Sequence, residues 1–161
     1  TCPIEADDTG GVLHDRLLTL GGPALLEALE QIQSAQLTPE KQDNNLANYA
    51  HKLTKQEAAI DWSRPAAELD LMIRAFTPFP VAYFSEGKDR VRVWDALVMQ
   101  HGSKSPAGTI LQADNDGLLV ACGQQALLLK QIQLPGKKIL SIKDILNGHR
   151  ERFTVGKLLL A

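Results

Sequence analysis

Apolar residues recur along this chain with two different periods, and the change from one to the other falls close to residue 60. Before it, Leu13, Leu17 and Leu20 stand four and three apart with Val12 and Leu18 beside them, the stripe of an amphipathic helix. Asp8 or Thr9 has the side-chain oxygen to cap that helix. Gly21-Gly22 predicts its end, and Pro23 opens a second helix striped by Leu25, Leu26, Leu29 and Ile32 as far as Ala35. Two helices joined at such a corner do not cover each other's stripes, so the pattern predicts a further surface, a sheet, to receive them. Both periods then vanish: Thr38-Pro39-Glu40-Lys41-Gln42-Asp43-Asn44-Asn45 reads as linker, with Leu46 and Tyr49 placed to pin its far end. Thr54-Lys55-Gln56-Glu57 has the form of a capping box and predicts a short helix through Ala59.

The pivot is Ile60-Asp61-Trp62-Ser63-Arg64-Pro65. Ser63 is a good N-cap and Pro65 suits a first turn, so a helix is predicted from Arg64, burying Leu69, Met72, Ile73 and Phe76. Asp70 and Arg74 pair across one turn on the other side, and Thr77-Pro78-Phe79-Pro80 stops the helix.

Beyond it the period is two. Val81-Ala82-Tyr83-Phe84, a polar turn over residues 85–89 and Arg90-Val91-Arg92-Val93-Trp94 predict a hairpin with Arg90 and Arg92 on its wet face. Residues 96–99 continue that strand until residues 101–106 break it. Segments 108–113 and 117–122 pair across Asp114-Asn115-Asp116-Gly117, and a further strand covers 125–134. Ser141 caps a terminal helix that stops at Asn147-Gly148, after which Phe153, Val155 and Leu158 to Leu160 give the tail apolar groups to dock. Five or six short strands flanked by helices predict a small open or closed barrel more than a sandwich.

Charge divides the chain at the same place. The net charge of −2 conceals four Lys/Arg against ten Asp/Glu over residues 1–61 and thirteen against nine over 62–161, so the strand-rich part is the one suited to a polyanion. There is no apolar run long enough to span a membrane and no leader pattern, which predicts a cytoplasmic protein. Cys2 and Cys122 lie in no metal or redox spacing, and His14, His51, His101 and His149 fall in four separate elements. No nucleophile elbow, phosphate loop or paired carboxylates stand in the sequence, so neither a catalytic nor a metal residue is expected. Basic residues near the Thr54 turn, Arg74, the Arg90/Arg92 face and Lys137-Lys138, with Tyr83, Phe84 and Trp94 among them, suit oligonucleotide binding. The chain opens on Thr1 in what reads as a strand already under way, as if part of a longer protein.

Asp61-Trp62-Ser63, the helix carrying Ile73-Arg74-Ala75-Phe76, and Pro78 with Pro80 resemble the start of the C-terminal domain of methionyl-tRNA formyltransferases. Cys2-Pro3-Ile4 through Asp8-Thr9-Gly10 resembles the end of that family's Rossmann-like domain, and Tyr49-Ala50-His51-Lys52-Leu53-Thr54-Lys55 its linker. Pro106-Ala107-Gly108-Thr109-Ile110, Pro135-Gly136-Lys137-Lys138 and Asp144-Ile145-Leu146-Asn147-Gly148 resemble its later segments. The resemblance implies an α+β fragment: the terminal strand and helices of a Rossmann-like domain over 1–37, a linker over 38–56, and an OB-like open barrel over 57–161. It implies formyl transfer from 10-formyltetrahydrofolate to the methionyl amino group of initiator tRNA, with the catalytic and folate-binding residues upstream of Thr1 and this chain inactive alone. It also implies RNA contacts from Lys52, Lys55, Arg74, Lys137 and Lys138, with Arg90 and Arg92 beside them. Helices 9–35, without their sheet, are expected to fray or self-associate. A sugar-nucleotide formyltransferase fragment and a free-standing oligonucleotide-binding barrel are the alternatives.

Overall fold

The computed structural model describes residues 1–102 and 104–160. Its first element, α1 (Gly10–Gln33), begins where Thr9 accepts the Val12 amide at 3.2 Å. It is one helix, not two: Pro23 lies inside it, and Gly21 and Gly22 do not end it. A proline removes one helical hydrogen bond and a glycine weakens one residue, but the Ala, Leu, Glu and Gln of the following turns are strong helix formers and carry the helix through. The expected opening strand is absent. With no neighbouring strand to take its hydrogen bonds, residues 1–5 instead offer the Pro3 carbonyl to Arg16 at 2.8 Å.

Residues 36–53 contain only turns, and Leu46 and Tyr49 do not pin them: they are 82% and 79% exposed, Tyr49 merely meeting the His51 ring edge-on. The capping bond forms, the Glu57 amide donating to Thr54 Oγ1 at 3.4 Å while that hydroxyl donates to the Glu57 carboxylate at 2.7 Å, yet no helix follows it. Residues 58–60 run instead alongside Tyr83, the Ile60 amide donating to its carbonyl and its amide to that of Ala58, each at 2.8 Å. Pairing with a strand buries Ala58 and Ile60, which a short exposed helix would not.

Helix α2 (Ala66–Ala75) starts two residues later than expected. Ser63 is not its cap, because its hydroxyl and amide both donate to Asp61 Oδ1, at 2.6 and 3.0 Å, in a local turn. Pro65 takes the cap position, and the Ala66 amide reaches the Gln124 carbonyl at 3.0 Å, so a loop of the sheet replaces the side-chain cap. Leu69 and Ile73 are buried, Met72 and Phe76 partly so.

The antiparallel sheet has the order β1-β2-β5-β4-β3: β1 (Tyr83–Glu86), β2 (Asp89–Met99), β3 (Ile110–Asp114), β4 (Gly117–Ala121) and β5 (Ala126–Gln133). A two-residue β6 (Leu140–Ser141) pairs with β5. It leads into α3 (Ile142–His149), capped by Ser141 as expected and followed by a 3₁₀ turn, Arg150–Arg152. The break expected over 101–106 includes Ser103, which lies outside the described residues. Alternation sends Phe84, Val91, Val93, Leu118, Val120, Leu127, Leu129 and Ile132 into one core, closed at its sides by Trp62, Leu69, Ile73, Ile145 and Phe153.

The tail then joins the two sheet edges. The Ile110 amide donates to Lys157, Leu159 to Gly108 and Ser85 to Leu160, at 2.8, 2.9 and 2.9 Å, so residues 156–160 link β3 to β1 and make the curled sheet a barrel. Phe153 and Leu159 are buried by this docking, whereas Val155, Leu158 and Leu160 stay exposed. Arg152 and Lys157 both bind Glu86, and Arg152 also binds Asp89 at 2.7 Å, which fastens the tail to the β1–β2 turn.

Candidate nucleic-acid interface

One end of the β1–β2 hairpin opens into a groove of about 620 Å³. It is lined by Tyr83, Trp94 and Gln133 of the sheet and by the segments 78–81 and 134–136. Lys55, Lys88, Arg90 and Arg92 stand around it.

The local sequence explains the placement. In β2 the register slips on either side of Asp95, so Val93 and Ala96 both point inward although three residues apart. Such a bulge re-aims the side chains beside it. Trp94 Nε1 and Arg92 Nη1 both donate to Gln133 Oε1, at 3.2 and 3.4 Å, and Gln133 Nε2 donates to the Lys137 carbonyl at 2.8 Å. The Gln133 amide thereby holds the ring and a guanidinium, and ties both to the turn that carries Lys137 and Lys138. Arg90 lies over the Tyr83 ring, its carbon 4.9 Å from the centroid. Val81, at φ +67°, occupies the left-handed region that a β-branched residue disfavours, and it lines the groove. Backbone strain of that kind clusters at functional sites.

Charge in the groove is one-sided. Among the described residues Lys55, Lys88, Arg90 and Arg92 make no ion pair, and the only lining carboxylate, Asp89, is already engaged by Arg152. Glu86, just behind it, is not a counterweight. Burial pushes its pKa up, but hydrogen bonds from Lys157 and Arg152 outweigh that and hold it below the ordinary range, so its charge is spent on the tail.

Of the basic residues singled out by sequence, Lys55, Arg90 and Arg92 meet at this groove, and Lys137 and Lys138 lie exposed in the turn beyond Gly136. Lys52 is exposed three residues before Lys55. Arg74 is elsewhere: its guanidinium bonds Asp70 at 3.1 Å and the Asp8 carbonyl at 3.0 Å. Sequence reasoning missed Lys88 and Phe79. The first sits after Gly87 in a turn tight enough to need a positive φ, the second between two prolines and 60% exposed. A large apolar residue flanked by helix-stopping prolines was the available signal. Among the described residues no group of His, Cys, Asp and Glu converges as a metal would need.

By architecture this is a small OB-like barrel with a cationic, ring-lined groove at one end. The family model for "Formyl transferase, C-terminal domain" matches residues 52–150, and the chain belongs to that family. It is 50% identical over 157 residues to the methionyl-tRNA formyltransferase of Pseudomonas fluorescens strain Pf-5, covering 98% of this chain and 49% of that protein. Against the same enzyme of Pseudomonas putida strain GB-1 the identity is 52%, over 98% of this chain and 50% of that one. The chain thus spans about half the length of these relatives. Among solved structures, a variant of HypX from Aquifex aeolicus shares the fold at TM-score 0.65 and 15% identity, over 91% of this chain and 27% of that one. HypX in complex with tetrahydrofolic acid does so at TM-score 0.57 and 18% identity, over 76% and 22%.

Proposed function

We propose that this chain is the RNA-holding part of a methionyl-tRNA formyltransferase, acting in the cytoplasm in the transfer of a formyl group from 10-formyltetrahydrofolate to the methionyl amino group of initiator tRNA. The observation that carries the reading is the groove: four cations without acidic partners around ring faces, in a barrel of a class that binds oligonucleotides. Lys52, Lys55, Arg90, Arg92, Lys137 and Lys138 supply phosphate contacts, joined by Lys88. Arg74 we place apart, because its Nε and Nη1 are committed to protein oxygens within α2 and at the foot of α1.

The groove offers a folate little: a pterin's amino and amide edge calls for a carboxylate, and Asp89, the one that lines the groove, already accepts from Arg152 through Oδ2. The formyl donor and the catalytic groups accordingly belong to the part of the relatives that this chain does not span, and residues 1–161 alone transfer no formyl group. In the same reading residues 1–37 are the end of that upstream domain, 38–56 a linker and 57–161 the barrel. α1, which buries none of its side chains, supports this division, and in the isolated chain it frays or pairs with a second copy.

Fluorescence anisotropy with initiator tRNA between 50 and 200 mM KCl tests the proposal. Binding weakens steeply with salt, and the double variant Arg90→Ala/Arg92→Ala lowers the log–log slope by about two. A salt-independent affinity, or no binding at low salt, overturns it.

A further inference from the structure

A polyanionic duplex needs only cations spaced to meet its phosphates, and this groove offers more than that. It has a volume in the range of small-ligand sites and is lined by half-buried Trp94 and Tyr83 together with exposed Phe79. The rings are prepared. The Gln133 side-chain oxygen accepts from both Trp94 and Arg92, so neither swings freely, and the Arg90 guanidinium lies over Tyr83. A guanidinium held on an aromatic ring is itself a surface on which a base stacks. The cations Lys55, Lys88, Arg90 and Arg92 are exposed and the rings of Tyr83 and Trp94 half-buried, the order in which a single extruded nucleotide would meet phosphate-binding and stacking groups.

We infer that the groove seats one unpaired nucleotide of the RNA, its base against Trp94 and the Arg90–Tyr83 pair and its flanking phosphates on Lys55, Lys88, Arg92 and the in-plane N–H edge of Arg90. This rests on the RNA-binding reading above and adds to it: paired stems bind by charge alone, while an unstacked base is read in the groove. Stacking is tolerant of base identity, so the preference is for the unpaired state rather than for one sequence.

The test compares two RNA hairpins of equal stem length, one fully paired and one with a single bulged nucleotide, against the whole chain at 100 mM KCl. The bulged hairpin binds about tenfold tighter, the lower part of what one stacked base contributes. Trp94→Leu abolishes the difference between the two hairpins. Because Trp94 is half-buried, Phe79→Ala at an exposed position serves as the second variant, with a several-fold loss for the bulged hairpin only. Adenosine monophosphate at 1 mM does not displace the bulged hairpin; displacement would make the groove a free-nucleotide site and overturn the assignment to RNA. Equal wild-type affinity for the two hairpins also overturns it while leaving the RNA-binding reading intact. Failure of both hairpins to bind at low salt removes the two together.

Discussion

Helix α1 and the barrel are both rich in leucine, and they spend it in opposite ways. Leu25, Leu26 and Leu29 in α1 are 62%, 63% and 52% exposed, whereas Leu118, Leu127 and Leu129 in the sheet are fully buried. The helix satisfies its backbone internally and asks that something else cover its stripe, so it keeps its hydrogen bonds without that partner but only at marginal stability. A strand satisfies neither backbone nor side chains by itself. The barrel therefore exists only as a closed set, down to a tail that joins its two edges. An apolar stripe on a helix is a request for a surface; an apolar face on a closed sheet is a request already met.

The sharpest break in that comparison comes from deleting one side chain on each side of it. Phe84 is fully buried against Trp62, ring centroids 5.9 Å apart, and Phe84→Ala is expected to cost about 3–5 kcal/mol, a large share of a domain's stability. Leu29→Ala in α1 is expected to change stability by less than about 0.5 kcal/mol, as an exposed substitution does. Urea titrations of both variants decide the matter. A comparable loss from Leu29 would mean that α1 is covered in solution, by a second copy for instance, and the loss would then depend on protein concentration.

The tail provides the next largest effect. Glu86→Gln weakens the bonds from Arg152 and Lys157 that fasten residues 152–157 to the hairpin, and is expected to cost about 2 kcal/mol. The sign with pH follows from the carboxylate. Its pKa in the folded barrel lies below its ordinary value of 4.5, so its contribution is fully present above that value and is lost as pH falls through the folded one. Between pH 6 and pH 3 the wild-type melting temperature falls, and that of Glu86→Gln falls less. Parallel curves would show that Glu86 does not hold the tail.

How much of this was legible in sequence differs between the same two regions. The strands and their turns were readable because period two and Asp-Asn-Asp-Gly specify a hairpin locally, and Ser141 with Asp144 specified a helix start in the same way. What sequence missed was decided by neighbours. Ser63 lost its cap role to Asp61 and to the Gln124 carbonyl, residues 58–60 chose the free side of β1 over a helix, and the closing tail carries no strand pattern of its own. The groove was legible by halves. Lys55, Arg90 and Arg92 are visible as charges, but the bulge at Asp95 that turns Trp94 and Arg92 onto Gln133 is a matter of register, which no single strand announces. In α1 the error ran the other way, since Gly-Gly-Pro has the chemistry of a break and the surrounding helix overrode it.

Where the two regions touch, the contact is narrow and made mostly by backbone. The Gly11 amide donates to the Thr77 carbonyl at 2.9 Å, and a Cβ on Gly10 would stand 2.4 Å from the Ala75 carbonyl oxygen. Gly10→Ala is therefore expected to lift the first turn of α1 away from α2, to speed tryptic cleavage after Arg16 several-fold, and to leave the barrel's melting temperature unchanged. The Asp8 carboxylate supports the same turn from within, the Arg16 guanidinium holding its pKa below the ordinary range while the Glu5 amide donates to it at 2.8 Å. A melting temperature that falls with Gly10→Ala would show the foot of α1 to be part of the barrel's cooperative unit.

Arg74→Ala asks the same question with the smallest effect and the most informative outcome. The side chain spans the contact, one nitrogen on Asp70 within α2 and another on the Asp8 carbonyl at the foot of α1. Its bond to Asp70 is a helix-surface pair of little consequence for stability. Its bond to Asp8 is a single hydrogen bond from a charged donor, shared in its task with the Gly11 amide, so cleavage after Arg16 should quicken less than in Gly10→Ala. tRNA affinity should stay within about twofold of wild type, with an unchanged salt slope, because a cation that contacts no phosphate releases no counterion. A slope lower by about one would place Arg74 on the RNA after all, and would mean that the groove and the foot of α1 lie along a single binding track.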